Sequence, residues 1–532
     1  MTILSQRSHA VQEHHWDRFL LSSTHKNPDT HQYCDVYSKR LASLRPHIPL
    51  PPSNFATKIT SKARILELEE SVLSYVIGTV ILSSEVDGDV FNNSNTSANV
   101  YLEDDSGRVA LEFSNAASSD ELRSRPLYLI TGMVCGIVGT VQERTGVMVV
   151  QEVYFAGETV SEVMEEEVIE EVDDVEEEDV YVLLVSGLEC GSGNGDVNAS
   201  FRRDLLVDYI TGQLFADGNR KAGRIARVVV AGGSCVKFES IAKDHRAAAA
   251  AAAAANNGSK SSSAAQKDSW KKKKVASIEL RKQTLLYPIK ELDESFLAPI
   301  LAGGVPVDLL PGKYDPTNVN PPQQPLHPSL LPHASTFGSL LNRVSNPYEC
   351  SMMSMMIDDD DEEGHKKRRK RRSVRILGSD GTVIREVMRE ARRIDSPNSS
   401  WSSLSLSDQR DTKLDSMVCD LNEMDALQLT LQCGHIAPSS PDCTPCFPLL
   451  QLTKGDPFVI EAAKSSDRVY FMGNSNEFDT KLVRHGGDGG GKTRMICIPS
   501  FAKTSQVVLL NLNSLKCEVV EFGNDIMDFD DA

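Results

Sequence analysis

The chain has 532 residues, a formal net charge of −19 and eleven cysteines. That length exceeds what one hydrophobic core organises, so two or more domains are expected, and the acidic balance excludes a protein whose whole surface grips nucleic acid. No run of 18 apolar residues occurs and the start, Met1–Arg18, is polar, which argues against a membrane span or secretory signal; the odd, scattered cysteines read as reduced core thiols.

Residues 1–30 are polar, His-rich and aperiodic, the pattern of a disordered leader. Residues 31–50 then place Tyr33, Val36, Tyr37, Leu41 and Leu44 at intervals of three or four before Pro46. That spacing predicts one apolar stripe on a short helix, which must dock on something larger to be stable.

From 60 to 160 the pattern turns to β. Ser71–Leu82, Asn99–Ser114, Leu127–Val141 and Gly146–Gly157 are rich in Val, Ile, Leu and Tyr, and Asp104-Asp105-Ser106-Gly107 is hairpin chemistry. Glycines within these runs (Gly78, Gly132, Gly136, Gly139) suit the bends of a small closed barrel, so an OB-like domain is expected.

Residues 161–179 form an acidic linker: Glu162–Asp179 is acidic at 12 of 18 positions, and like charges at that density oppose compaction. Residues 180–525 then read as one α/β domain. Val180–Leu188 is a continuous apolar run suited to a strand buried on both faces, and Phe201–Leu214 is helical. Further strands are expected at Arg227–Gly233, Val305–Pro311, Arg468–Asn474 and Lys492–Ser500, with a closing hairpin over Val507–Phe522. Low-complexity insertions at 246–274 and 351–373 cannot bury a core face and are expected on the surface.

Four features carry candidate chemistry. The turn Gly187 to Gly195 sits where phosphate-cradling loops sit, but it lacks a Walker Lys-Ser/Thr and the G-x-G-x-x-G spacing, so a plain strand-to-helix connection is the better reading. Cys433, His435, Cys443 and Cys446 have ligand types and spacings a zinc site could use; a thiol-rich core is the alternative, and both readings stay open. The seven cations Lys366, Lys367, Arg368, Arg369, Lys370, Arg371 and Arg372 read as a nuclear import signal; phosphate-backbone contact is weakened by the adjoining Asp358–Glu363. The barrel aromatics have so few cations among them that core packing explains them better than base stacking.

Asp308–Pro328 (DLLPGKYDPTNVNPPQQPLHP) resembles the regulatory small subunits of DNA polymerase delta, whose PQQPLHP wording the alpha- and epsilon-type subunits lack. Tyr33–Pro46, Val182–Leu188, Asp204–Leu214, Asn346-Pro347-Tyr348, His435–Asp442, Asp456-Pro457-Phe458 and Val469–Asn474 support the resemblance in collinear order. It implies an OB-fold barrel joined to an inactivated calcineurin-like phosphoesterase β-sandwich flanked by helices. An active phosphoesterase holds two cations through D-x-H, G-D-x-x-D, G-N-H-D/E and G-H-x-H. At the matching positions stand Ser186 and Leu188, then Gly233, then Lys313, Tyr314 and Asp315, then Asn474 and Asn476; only Asp315 and His435 keep ligand chemistry. The resemblance therefore implies no catalytic residue, no metal and no cofactor. It implies a nuclear scaffold that joins the polymerase's catalytic subunit to the third, clamp-binding subunit and meets DNA through the complex, with no membrane role. A metal-dependent phosphodiesterase or nuclease, and a free single-strand-binding OB protein, are the alternatives.

Overall fold

The computed structural model describes residues 10–21, 33–52, 59–82, 100–113, 127–157, 160–162, 179–191, 197–214, 221–237, 286–354, 373–394, 421–447, 455–461, 467–485 and 491–523. The insertion 246–274, the Lys366–Arg372 run and residues 163–178 of the acidic segment lie outside them.

Five strands close a barrel. Leu73–Leu82 pairs with Val100–Glu103, which pairs with Arg108–Glu112, then Met148–Phe155, then Val134–Val141, and the last pairs back onto the first. The hairpin at Asp104–Gly107 forms as its sequence suggests, with the Asp104 carboxylate accepting from the Ser106 and Gly107 amides. Successive side chains of a strand point to opposite faces, and here the two faces have different tasks. Val76, Val80, Cys135, Ile137 and Val141 fill the barrel. Tyr75, Ile77, Val134 and Val138 point outward onto Leu41 and Leu44 of the helix Tyr33–Leu44. Gly136 has no side chain because the Tyr75 ring crosses it there: a Cβ at that position would collide with the phenol.

Two larger sheets stack face to face. The first runs in the order Leu341–Arg343, Val307–Leu310, Ile225–Ala231, Tyr181–Val185, Gln506–Asn511, Cys517–Glu521; its first four strands are parallel and its last two form the closing hairpin. The second sheet has seven strands, among them Ser373–Ser379, Asp467–Ser475 and Lys492–Pro499. Val182, Leu184, Val229, Ala231 and Leu510 of the first sheet share a core with Ile376, Val469, Phe471 and Ile496 of the second. The alternate residues Leu183, Val185, Val228, Val230 and Leu309 pack against Leu206, Ile210, Phe296 and Ile300 from helical segments. Burial on both faces is why these strands read as continuous apolar runs.

Residues 10–21 correct the expectation of a disordered leader over 1–30. Ala10–His14 pairs antiparallel with Tyr348–Ser354 at the edge of the second sheet. Phe19 is fully buried with its ring 6.3 Å from that of Phe458, and Gln12 donates to the buried Asp308 carboxylate at 2.6 Å. These partners lie some hundreds of residues further along the chain, so no local periodicity announces them. Two other boundaries shift as well. Val160–Glu162, at the start of the acidic segment, pairs with Asp479–His485, and the insertion at 351–373 begins and ends inside paired strands, Tyr348–Ser354 and Ser373–Ser379.

Candidate functional site

In sheets with parallel strands, sites form beyond the strands' C-terminal ends. Here the chain leaves Tyr181–Val185 at Ser186, leaves Ile225–Ala231 at Gly232-Gly233, and leaves Val307–Leu310 at Pro311-Gly312. Asn474 arrives from the opposing sheet near the end of Asp467–Ser475. The structure thus brings together Ser186, Gly233 and Asn474, three positions where the resemblance implies lost metal ligands, and Asp315, where a ligand type is kept.

They meet in a packed arrangement. Ser186 Oγ accepts from the Asn474 amide at 2.8 Å and donates to the Pro499 carbonyl at 3.0 Å. Asn474 takes a left-handed backbone (φ 57°), which its short polar side chain tolerates better than most, and its Nδ2 donates to the Asp380 carbonyl at 3.0 Å. Its Oδ1 fills the space beside Gly233, whose φ is 67°; a Cβ on Gly233 would strike that oxygen, and a Cβ on Gly312 would strike the Gly233 amide. The volume that side-chain ligands and cations would need is therefore taken by an amide and by glycine backbones in contact.

Asp315 keeps its carboxylate but turns it inward. It accepts from the amides of Gly312 (2.7 Å), Cys235 (2.8 Å) and Ser234 (3.2 Å). Burial pushes its carboxyl up to about 6, and those three amides pull the other way. Lys313 and Tyr314 project outward, exposed; Asn476 is also exposed and accepts from Lys503 at 3.3 Å. Leu188 is fully buried in the layer between sheet and helices. Asp380 is the residue that sequence reasoning missed. Fully buried, it accepts from Asn346 Nδ2 (2.8 Å), Thr382 Oγ1 (2.6 Å) and the Lys313 amide (3.1 Å). A sequence signal does exist: Asp380-Gly381 directly before the helix Thr382–Glu390 is turn and helix-start chemistry.

His435 does not join this cluster, which corrects its placement among the former ligands. It lies at a second polar centre, where the helix Tyr33–Leu44 meets both the barrel and the sandwich. Arg40 is fully buried at the middle of that helix. Its Nε donates to Asp456 Oδ2 at 3.0 Å, Nη1 to the Gly132 and Pro438 carbonyls, and Nη2 to the Ser440 carbonyl at 2.6 Å. His435 Nδ1 accepts from the Ala437 amide at 3.2 Å, so the proton sits on Nε2, which donates to Asp456 Oδ2 at 3.0 Å. The ring is neutral: burial and the neighbouring Arg40 lower its pKa to about 4.

Cys433 belongs to the same region as a thiol, donating to the Thr430 carbonyl at 3.3 Å, and burial raises its pKa to about 12. The Cys446 thiol is raised to about 11 and that of Cys443 to about 12, in both cases chiefly by burial. Among the described residues no group of three or more His, Cys, Asp or Glu side chains is arranged to hold a metal ion.

A closed five-strand barrel, a docked helix and a two-sheet α/β domain with a filled cleft define a class of architecture, and sequence comparison agrees. Residues 32–153 match the DNA polymerase delta subunit OB-fold domain, and residues 182–358 match the family of B-type subunits of DNA polymerases alpha and epsilon. The chain is similar to a DNA polymerase delta small subunit of Arabidopsis thaliana (29% identical, over 80% of this chain and 73% of that one). It is also similar to a DNA polymerase delta small subunit of Oryza sativa (27%, over 92% and 93%) and a DNA polymerase delta subunit 2 of Drosophila melanogaster (27%, over 65% and 59%). The chain is thus similar over most of its length to DNA polymerase delta small subunits, and two of its segments match polymerase-subunit domains.

Proposed function

We propose that the chain is a non-catalytic scaffold: a phosphoesterase-like sandwich whose metal centre has closed, working through the surfaces it presents. Its partners are then the catalytic subunit of DNA polymerase delta and the third, clamp-binding subunit, its compartment is the nucleus, and DNA is met through the complex. The observation that carries this reading is the packing of Asn474 against Gly233 and Gly187 where side-chain ligands would converge. Two hard cations need several oxygen or nitrogen donors aimed at one point, and Asp315, the one carboxylate kept at those positions, is occupied by three amides.

Arg40 supports the scaffold role from another side. A buried guanidinium bonded to the barrel at Gly132 and to the sandwich at Pro438, Ser440 and Asp456 holds the two domains in one orientation, as a platform for partners requires. The test is affinity purification of the tagged chain with identification of bound proteins, alongside a hydrolysis assay with Mn²⁺ and a phosphodiester. Stable recovery of a polymerase catalytic chain with no hydrolysis is expected. Hydrolysis by the pure protein that disappears in Asp315→Ala would sink the scaffold reading in favour of a phosphodiesterase.

A further inference from the structure

Beside the closed cleft, one aromatic side chain stands out of the packing. Tyr314 is 47% exposed although it sits in the turn Gly312–Asp315, both of whose ends are buried. Two ammonium groups lie over its ring: Lys237 Nζ is 5.2 Å and Lys313 Nζ 6.0 Å from the centroid. Lys237 comes from the loop after Ile225–Ala231, and the other two residues come from the loop after Val307–Leu310.

These two loops are tied together underneath. The Asp315 carboxylate accepts from Ser234 and Cys235 in one loop and from Gly312 in the other, and the Lys313 amide is held by Asp380. The Asp315 and Asp380 carboxylates that do this are turned inward and buried, while the cations and the ring face solvent. An exposed ring under ammonium groups, on a turn tied down by hydrogen bonds, suits single-stranded nucleic acid: a base stacks on the ring in place of the ammonium groups, which move to the neighbouring phosphates. Duplex DNA keeps its bases stacked on each other and has nothing to offer the ring.

We infer that Tyr314, Lys237 and Lys313 form a contact site for single-stranded nucleic acid on the sandwich, away from the barrel. The site rests on the polymerase-subunit reading only for its supply of single strand; the net charge of −19 lowers the affinity of the isolated chain, so binding is read at micromolar to millimolar protein, on the order of non-specific contacts. One ring and two cations make a weak contact that serves to guide a strand already brought close by partners.

The test uses the full chain, a labelled oligodeoxythymidylate and fluorescence anisotropy at low and at physiological salt. Wild-type protein should bind the single strand in a salt-dependent manner. Tyr314→Ala should weaken binding about tenfold, and Tyr314→Phe, which keeps the stacking face, should leave it unchanged. Replacing both lysines by glutamine should flatten the salt dependence by about two ions. Absence of binding by the wild type, equal binding by Tyr314→Ala, or equal affinity for duplex would each overturn the site. Capture of the polymerase catalytic chain is measured in parallel. If Tyr314→Ala lost that chain, the patch would be a protein interface and the inference would fall with the subunit role intact. If the wild type captured no such chain yet bound single strand through Tyr314, the subunit role would fall and the site would stand.

Discussion

Two buried carboxylates, one in each polar centre, have opposite fates. Asp456 lies between the Arg40 guanidinium and the His435 ring; burial alone would raise its carboxyl, but these partners outweigh it and hold the group well below the ordinary carboxylate range. Asp315 is equally enclosed but is held chiefly by backbone amides, with the Asp380 carboxylate nearby, and burial raises it to about 6. The difference is a permanent counter-charge. A cleft that supplies a carboxylate but no cation leaves that carboxylate costly to ionise, whereas the junction that joins the domains brings its own cation in the chain.

The largest effect should come from breaking the compensated pair. Arg40→Ala leaves Asp456 charged and buried and strips donors from three carbonyls, so a loss of about 3–5 kcal/mol is expected, read as a lower urea midpoint. Arg40→Lys should recover only part of it, because one ammonium cannot replace a guanidinium fork spread over both domains. A stability change under about 1 kcal/mol would remove Arg40 as the junction's anchor.

Asp315 gives a pH signature of opposite sign to its counterpart. Its folded pKa, about 6, lies above the ordinary value of 3.8. Its contribution to stability is therefore full below the unfolded pKa and lost as pH rises through 6, a swing on the order of 3 kcal/mol by neutral pH. His435 runs the other way: with a folded value of about 4 against 6.5, its contribution is full above the unfolded value and lost as pH falls. Asp456, depressed likewise, loses its contribution only as pH falls below the carboxylate range. Comparing unfolding free energies of wild type and Asp315→Asn from about pH 4 to about pH 7.5 isolates the Asp315 contribution. The gap should move in favour of the variant as pH rises; a gap that stays constant would show that Asp315 is not held out of its ordinary range.

Gly233→Ala probes how completely the cleft is filled. The new methyl group would meet Asn474 Oδ1 on a left-handed backbone, so a loss of about 2–3 kcal/mol is expected from overpacking and strain together. If the variant is as stable as wild type, the cleft retains room that could admit ligands.

Much of this was legible in the sequence. The strands Val180–Leu188, Arg227–Gly233, Val305–Pro311 and Arg468–Asn474 could be placed because apolar runs stop at turn residues, and the resemblance then aligned four positions at their ends with a metal-binding pattern. The strand at Ala10–His14 was not legible, since five residues, AVQEH, become a strand only through the edge they pair with. Arg40 was hidden for a different reason: the stripe Val36, Leu41, Leu44 reads as apolar, and a cation within it signals nothing until its four acceptors are known. His435 was misplaced because ligand chemistry is read from residue type, while its role as a neutral donor is fixed by Ala437 and Asp456.

The smallest effect separates composition from geometry. Lys313→Asn with Tyr314→His restores, at the third motif, the residue types that a working phosphoesterase carries. Both side chains are exposed, so stability should change by no more than about 0.5 kcal/mol. If missing side-chain types were all that separated this cleft from a catalyst, Mn²⁺-dependent hydrolysis or metal-induced stabilisation should begin to appear in the double variant. None is expected, because the space behind these residues stays filled: Asn474 still abuts Gly233 and Ser186, and Asp315 still accepts three amides instead of facing a cation. A rise in melting temperature with added Mn²⁺, specific to the double variant, would mean that the cleft had lost its ligands but not its shape, and the contrast between the two carboxylates would then be one of composition alone.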